Sequence, residues 1–221
     1  MEIAYSFDEL SRALSGLDDL NLSQEESQIL AIDVLLAMDA VLTSLRYSVL
    51  QFDDSKDNRY LLTESTMKTA DHLSKFVLRN AEPGTGPIVL DTPSIELNLQ
   101  SDYVHNLSNC SITIGGGNGF VLPSSDKIFS DLQAENETLH RIVKCLKKIP
   151  TGVHDLLYND VIALSFTNSS GNELEVKDTK EDILIIFASD SPPVATHVLM
   201  EGLYLEVNDV TYFGSIFEVR L

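Results

Sequence analysis

The hydrophobic periodicity of the chain changes at Glu82-Pro-Gly-Thr-Gly-Pro87. Before this segment there is no proline, and apolar residues recur every three or four positions, as in an amphipathic helix. After it, Ile95, Leu97 and Leu99 alternate with polar residues, which is the pattern of a half-buried strand. The segment itself cannot continue a helix. Helices first and strands second predict an α+β fold, not an alternating parallel α/β sheet.

The residues before this boundary predict a helical subdomain over residues 1–82. Ser23 and Glu26 have the spacing of a capping box, in which each side chain bonds a backbone N–H group at a helix start. The helix that follows is expected to bury the apolar stripe Ile29, Ile32, Leu36, Val41 and Leu45. An earlier helix is expected to bury Phe7, Leu10, Leu14 and Leu17, and a later one, from about Thr63, to bury Met67, Ala70, Leu73 and Val77.

The residues after the boundary predict an antiparallel β-sandwich over residues 83–221, incomplete at its C-terminal end. The predicted strands are 95–100, 111–114, 120–122, 161–167, 173–177, 183–187, 203–207 and 215–221. Residues 130–149 fit a helix as well as a strand, because their apolar residues also have helical spacing. Residues 115–119, GGGNG, are predicted to form a tight turn, since a phosphate-binding loop would need a helix after it. Residues 168–172, NSSGN, predict a hairpin turn.

The charge balance limits the classes of partner. The 221 residues include 15 basic and 34 acidic residues, and the net charge of −19 would repel nucleic acids and anionic membrane surfaces. No apolar run approaches the roughly 20 residues that span a bilayer, and residues 1–5 lack the basic start and apolar core of a signal peptide. The chain is therefore either intracellular or a piece of a longer precursor, whose membrane contacts lie outside these residues.

Sugar acceptors are more frequent than chance predicts. Random placement would give roughly two Asn-x-Ser/Thr sequons, whereas the chain has five, at Asn21, Asn106, Asn109, Asn136 and Asn168. The only cysteines are Cys110, inside one sequon, and Cys145. In an oxidising compartment they would form one disulfide, which closes a loop of roughly 35 residues. In a reducing compartment they would be two buried thiols.

Motifs for catalysis are lacking in the sequence. The histidines are scattered, and none adjoins a nucleophile motif, so we expect a protein that is not an enzyme. Asp53, Ser55, Asp57 and Glu64 do occupy positions 1, 3, 5 and 12 of an EF-hand loop, which would bind calcium through oxygen ligands. However, Asn58 stands at the sixth position, where the sharp turn usually takes glycine. The sequence leaves open a calcium site and a solvated loop between two helices.

Three stretches of the chain resemble the GAIN domain of adhesion receptors, and most closely its version in the polycystins and the related sperm receptor for egg jelly. LLTESTMKTADHLSKFVL (61–78) with PIVLDTPSIELNLQ (87–100) is similar to the last helix of that family and its crossing into strands. NLSNCSITIGGGNGFVLPSS (106–125) resembles its early strands. VIALSFTNSSGNELEVKDTKEDILIIF (161–187) resembles its core hairpin. Self-cleavage in the family uses His-Leu-Ser/Thr in a Cys/Trp-rich segment, but this chain has no tryptophan, and Met200 follows the leucine of His197-Val-Leu.

The resemblance implies a glycosylated, non-enzymatic module at the extracellular face of the plasma or ciliary membrane, as part of a larger protein. Its function would be adhesion, or holding a partner segment, such as the rest of its own precursor, through a sheet edge beside residues 215–221. Two alternatives follow from the residues themselves. One is an intracellular acidic scaffold whose helical part binds a partner helix, and the other is a calcium-binding module using the 53–64 loop. Apart from calcium, we expect no cofactor.

Overall fold

The computed structural model describes residues 9–10, 12–14, 16, 22–48, 56–106, 110–129, 137–150, 158–176, 179–188, 197–200, 203–206, 210–213 and 216–220. The helices are α1 (Gln24–Ser48), α2 (Lys56–Arg79) and the single turn α3 (Ser125–Ile128). The strands are β1 (Ile88–Asp91), β2 (Ile95–Tyr103), β3 (Cys110–Ile114), β4 (Asn118–Leu122), β5 (Thr138–Pro150), β6 (Tyr158–Asn168), β7 (Leu184–Ala188), β8 (His197–Met200), β9 (Leu203–Glu206), β10 (Val210–Phe213) and β11 (Ile216–Arg220). The long helices precede antiparallel sheets, so the predicted α+β fold is confirmed.

Helix α1 begins with the predicted capping box. Ser23 Oγ accepts a hydrogen bond from the Glu26 N–H at 3.2 Å, and the Glu26 carboxylate accepts one from the Ser23 N–H at 2.9 Å. The hydrogen bonds that the Ser23 N–H and the Ser23 hydroxyl donate to the Glu26 carboxylate lower the pKa of Glu26, because they favour its ionised form. The two side chains thus satisfy backbone donors at the helix start, which explains why the helix begins at Gln24.

Helix α1 buries a different face from the one predicted. Its inward residues are Ala31, Leu35, Met38 and Leu42. The predicted stripe is exposed, at 55% for Ile29, 42% for Ile32 and 51% for Leu36, and the side chain of Leu45 lies outside the described residues. Apolar residues occupy both faces, so periodicity alone could not select the buried one. Residues 24–44 are also long and apolar enough to cross a membrane by length and composition alone, which the sequence analysis did not anticipate.

Helix α2 buries the face that was predicted. Ala70, Leu73 and Val77 are fully buried, and Met67 packs against the same core. The helix begins at Lys56, well before the predicted start at Thr63. Of the first predicted helix, Leu10 and Leu14 also contact this core, whereas Phe7 and Leu17 lie outside the described residues.

The first sheet has the strand order β1-β2-β5-β6, and every neighbouring pair is antiparallel. Strand β5 settles the ambiguity of residues 130–149, since Thr138–Pro150 is extended and pairs with strands on both sides. Its residues are buried on both faces, which removes the alternation that would have revealed a strand. The helical spacing of the apolar residues in this segment therefore does not reflect a helix.

The second sheet has the order β10-β11-β7-β4-β3, and β8 pairs with β9 alone. Strand β11 is paired on both sides, so the open edge predicted beside residues 215–221 is wrong. Among the described strands, the ends of this sheet are β10 and β3. The 168–172 turn is confirmed by a hydrogen bond from the Gly171 N–H to the Asn168 carbonyl, but residues 173–177 contribute only an isolated bridge between Thr167 and Glu173.

The molecule has three layers, and β5 contacts both of its outer layers. Ile142 and Leu146 face α1 and α2, whereas Leu139, Val143 and Cys145 face the second sheet. The two sheets therefore form the predicted sandwich, with the helices over the outer face of the first sheet. The predicted division at residue 82 falls in the loop between α2 and β1 and stays a prediction.

Candidate functional site

The candidate site lies where Cys110 begins β3, at one end of the second sheet. The Cys110 side chain is partly exposed. Arg141, on β5 of the first sheet, reaches it, and Arg141 Nη1 donates a hydrogen bond to Cys110 Sγ at 3.0 Å. The structure therefore places an accessible thiol beside a guanidinium at the junction of the two sheets.

Arg141 is an unusual group to find at this junction. Arg141 is only 5% exposed, and its Nε is buried without a hydrogen-bond partner among the described residues. Burial lowers the pKa of Arg141, while Cys110 and Asp102 act in the opposite direction. Arginine nevertheless stays protonated in proteins. A buried guanidinium with an N–H that has no acceptor destabilises the folded state, and most buried donors in proteins do have an acceptor.

A small pocket opens beside the thiol and the guanidinium. Its remaining walls are mostly apolar, with Leu122, Leu139, Phe129 and Phe166 among them. The rings of Phe129 and Phe166 meet edge to face with their centroids 5.1 Å apart. Its cavity volume is about 10 Å³, which is roughly the space that one water molecule needs. The pocket is therefore a small gap beside the sulfur and does not hold a free ligand.

Asp102 organises the turn that follows β2. Its Oδ1 accepts hydrogen bonds from the Tyr103 N–H at 2.8 Å and from Asn106 Nδ2 at 3.0 Å. The 3-10 turn Val104–Asn106 is thereby held against the sheet, with Val104 buried and the Asn106 side chain exposed. The exposed rings of Tyr103 and His105 stack with their centroids 5.9 Å apart. The Asn106 sequon is thus presented on a fixed turn beside an aromatic pair.

The predicted disulfide is not formed, because the two cysteines lie in different places. Both are free thiols. Cys110 contacts Arg141, whereas the Cys145 side chain packs against Gly115 at the other end of β3. Cys110 and Gly115 are five residues apart along β3, which corresponds to about 16 Å of extended chain. A disulfide needs Cα atoms within about 7 Å of each other, so a Cys145 that packs against Gly115 is too far from Cys110 to pair with it.

Cys145 is an inert thiol by its surroundings. It is fully buried, and this burial is the main reason that its pKa rises to about 12, with a further contribution from Asp160 and Glu96. The glycine turn beside it is a turn, as predicted, with positive φ at Gly115, Gly116 and Gly117. A neutral buried thiol acts as a small apolar side chain.

Polar side chains fasten the glycine turn to the first sheet on either side of Cys145. Glu96 accepts a hydrogen bond from the Gly115 N–H at 2.9 Å. Asn118 Nδ2 donates to the Gly115 carbonyl at 2.6 Å and to Asp160 at 2.8 Å. Lys147 lies 3.2 Å from Glu96. All of these polar groups have structural partners, so this cluster explains packing and not chemistry.

A second polar cluster joins α2 to the first sheet. Lys144 is almost completely buried, and its Nζ lies 2.9 Å from Asp71 Oδ1. Lys75 lies 2.7 Å from the other oxygen of Asp71 and 3.0 Å from Glu173. Burial opposes ionisation of Asp71, but the two lysines together outweigh it and hold the pKa of Asp71 below 3.8. This network fixes the helix on the sheet.

The predicted glycosylation sites are placed as follows. Asn106 is exposed, and Asn168 is partly buried in its turn, where its Oδ1 accepts hydrogen bonds from the N–H groups of Ser170 and Asn172. Asn21, Asn109 and Asn136 lie outside the described residues. Glycosylation of all five stays a prediction, and Asn106 has the most accessible placement of the two that are described.

The EF-hand interpretation does not agree with the structure. Asp57 and Glu64 both lie in helix α2, whereas an EF-hand loop must wrap around the ion through its twelfth position. Seven residues of helix separate these two positions by about 10 Å along the axis. Asp53 and Ser55 lie outside the described residues. Within the described part of the chain, no group of three or more His, Cys, Asp or Glu side chains could hold a metal ion.

Cys110 is conspicuous in the sequence, but Arg141 is not. Arg141 lies in the segment whose periodicity fitted a helix and a strand equally, so its direction could not be predicted. The one available signal was composition, because Arg141, Lys144 and Lys147 interrupt an apolar run at three-residue intervals. Only the packing of β5 against the second sheet shows that Arg141 reaches Cys110.

Comparison with known proteins finds similarity among solved structures. No protein-family model matches the chain, and no curated protein matches it either. Among solved structures, it is similar to the full extracellular region of zebrafish Gpr126/Adgrg6, with a TM-score of 0.49 and 11% sequence identity, covering 94% of this chain and 32% of that one. The chain thus spans about a third of the length of that extracellular region.

Proposed function

We propose that the chain is a non-catalytic, N-glycosylated extracellular module of a larger membrane receptor or channel-associated protein, related to the GAIN-type modules that its sequence resembles. Its role is adhesion, or holding a partner protein segment. The observation that carries the proposal is the placement of Asn106, an exposed sequon asparagine on a turn that Asp102 holds by a hydrogen bond. The excess of sequons supports it, because sugar acceptors have a function only in the secretory pathway.

The state of the asparagines tests this proposal. Protein from its native source would be treated with an N-glycosidase, and peptide mapping would locate each asparagine converted to aspartate. We expect conversion at Asn106 at least. In a secreting host, Asn106→Gln should remove one glycan from the intact mass, whereas Asn172→Gln, an exposed asparagine outside any sequon, should leave the mass of the glycans unchanged. Bare asparagines throughout the native protein would contradict the proposal.

The partner segment would add as a strand at β10. This strand has a paired neighbour on one side only within the described sheet, and an unpaired strand edge accepts an extended segment through its backbone groups. Hydrogen exchange of residues 210–213 would be compared in this chain and in a longer fragment of its precursor. Extra protection in the longer fragment supports strand addition, and equal exchange argues for adhesion through another surface.

The second candidate is an intracellular acidic scaffold, and two observations favour it. Both cysteines are free thiols, as expected in a reducing compartment. The outward face of α1 exposes Ile29, Ile32 and Leu36, which could receive the apolar face of a partner helix. A basic amphipathic peptide would serve as the probe. Under this hypothesis the peptide binds, Leu36→Glu abolishes binding, and Asp33→Asn, an exposed residue on the same helix, leaves binding nearly unchanged.

A further inference from the structure

We propose that Cys110 is a thiol–disulfide exchange site, which forms a mixed disulfide with a small cysteine-type thiol carrying carboxylate or carbonyl oxygens near its sulfur. The proposal concerns a covalent modification and does not depend on glycosylation or on cellular location. It rests on three features that converge at one point: the partly exposed thiol, the buried guanidinium of Arg141 and the small pocket beside them.

Access and charge distinguish Cys110 from Cys145. Thiol–disulfide exchange needs a thiolate that the reagent can reach. Cys110 is partly exposed, and its sulfur accepts a hydrogen bond from a guanidinium N–H of Arg141 at 3.0 Å. Partial exposure beside a basic group is the setting in which reactive cysteines are found. Cys145 is fully buried with acidic neighbours, which disfavour a thiolate there. Exchange is therefore selective for one of the two cysteines.

Arg141 indicates the class of thiol that the site takes. One of its N–H groups bonds the Cys110 sulfur, while Nε is buried without a partner. A group linked to Cys110 through sulfur would carry its own oxygens to within a few ångströms of this donor. Carboxylates and amide carbonyls are the acceptors that a guanidinium fork prefers. Cysteine and glutathione carry both a thiol and such oxygens, and the gap beside the sulfur has room for about one water molecule only, so most of either group would lie outside it.

The reaction is a simple exchange. The Cys110 thiolate attacks one sulfur of a low-molecular-weight disulfide, a new sulfur–sulfur bond forms, and the bond within the reagent breaks. The leaving thiolate takes up a proton equivalent to the one that Cys110 lost. One disulfide is consumed and one is formed, so no other oxidant is needed. Because Cys110 lies on the end strand β3, the attached group would also obstruct strand addition at that end of the sheet.

Mass spectrometry of the reduced, unglycosylated chain tests the proposal. After incubation with oxidised glutathione, we expect one added glutathione per chain, mapped to Cys110 and absent from Cys145. Cys110→Ser should abolish the addition. Arg141→Gln should slow it about tenfold, and Arg141→Lys, which keeps the charge, should recover part of the rate. Addition at Cys145, or no addition before denaturation, would overturn the proposal.

A second reagent tests the class of thiol. Cystamine is a disulfide that lacks carboxylate and carbonyl oxygens, so its rate should depend much less on Arg141. An equal loss of rate with both reagents would overturn the assignment of an oxygen-bearing thiol. If Arg141→Gln does not fold, its Cys145 will react in native buffer, and this reaction identifies the failure. The comparison is then made with Arg141→Lys, which should slow glutathione disulfide more than cystamine, and equal rates with that variant would overturn the assignment.

Discussion

Lys144 and Cys145 are consecutive residues of β5, yet they belong to two different interfaces. Lys144 points to α2, where it meets the Asp71 carboxylate, and Cys145 points to the second sheet, where it stays neutral against Gly115. Both are at most 1% exposed. The helix-facing side of the sheet therefore holds a paired charge, whereas the sandwich-facing side holds an apolar thiol.

The difference shows what each interface can tolerate. A charge can be buried when a partner of opposite charge reaches it and further groups satisfy the remaining donors and acceptors. Helix α2 brings such a partner, because Lys75 and Asp71 are one turn apart on it and bind each other as well. The glycine turn brings only backbone to Cys145, and the nearby carboxylates of Asp160 and Glu96 disfavour a thiolate there. The two sides should consequently respond in opposite ways to substitution and to pH.

The largest expected effect is the loss of Asp71. Asp71→Leu strands Lys144 in the interior without a counter-charge, and breaking a buried pair in this way costs about 3–5 kcal/mol of the free energy of unfolding. Lys144→Met should cost less, since Asp71 retains Lys75. Urea denaturation of both variants measures the difference. The double variant Asp71→Leu/Lys144→Met should recover much of the loss, and a double variant no better than Asp71→Leu would show that the pair is not the cause.

The face of α1 is the next test of the helix-facing core. Leu35→Ala removes a fully buried side chain and should destabilise the fold by about 2–4 kcal/mol. The neighbouring Leu36→Ala, on the exposed face, should change stability by about 0.5 kcal/mol or less. Thermal or urea unfolding of the two variants checks this. A larger loss of stability with Leu36→Ala than with Leu35→Ala would show that α1 buries the face predicted from the sequence.

On the sandwich-facing side, Gly115→Ala should cost about 2 kcal/mol. A Cβ at this position would run into the Cys145 side chain, and the φ of +47° is unfavourable for any L side chain. Gly116→Ala is the matched control, because φ is also positive there but the Cβ would meet only Asp160 at 3.8 Å. It should cost about 1 kcal/mol from backbone strain alone. Adding Cys145→Ala should recover part of the stability that Gly115→Ala loses, and it should not reduce the stability cost of Gly116→Ala. Urea unfolding of the double variants measures both effects.

The smallest effect expected is a pH response of opposite sign on the two sides. The pKa of Cys145 is about 12 in the folded state against 9.0 for an ordinary thiol, so the folded state holds its proton longer. Stability is then lost as pH rises above about 9, by about 1 kcal/mol at pH 10. In Cys145→Ala, the free energy of unfolding from urea titrations should fall less between about pH 9 and pH 10. An equal fall in this variant would show that other groups cause the loss.

On the helix-facing side, stability should fall on acidification. The folded pKa of Asp71 is below its ordinary 3.8, so its contribution is present above that value and is lost as pH falls through the folded pKa. Burial lowers the pKa of His140 below 6.5, so protonation of the unfolded state also reduces stability below about pH 6.5. His140→Gln should remove the loss of stability near pH 6 and should not change the loss of stability above about pH 9.

Much of the local structure was predictable from the sequence. The capping box at Ser23, the buried face of α2 and the glycine turn each depend on residues close together in the chain. Their signals are therefore local, whether a hydroxyl and a carboxylate three residues apart or a run of glycines. Strand β2 was equally clear, because the buried Ile95, Leu97 and Leu99 alternate with less buried polar residues, and this alternation is visible in the sequence.

The candidate site was only half predictable. Cys110 was conspicuous, but its contact with Arg141 depends on the packing of one sheet on the other, which joins residues that are 31 positions apart in the chain. The open edge was misplaced for the same reason, since β11 gains neighbours on both sides from β10 and β7. The EF-hand spacing failed because α2 starts earlier than its apolar stripe indicated.

The sequence by itself determined the order of helices and strands, because hydrophobic period and turn residues act over a few neighbouring positions. The tertiary structure decided which faces are buried. Helix α1 offers apolar residues on two sides, and β5 is apolar on both, so only contact with other elements could select Leu35 over Leu36 and send Lys144 and Cys145 in opposite directions. Burial is a property of the assembled layers, and it decided the fate of both thiols.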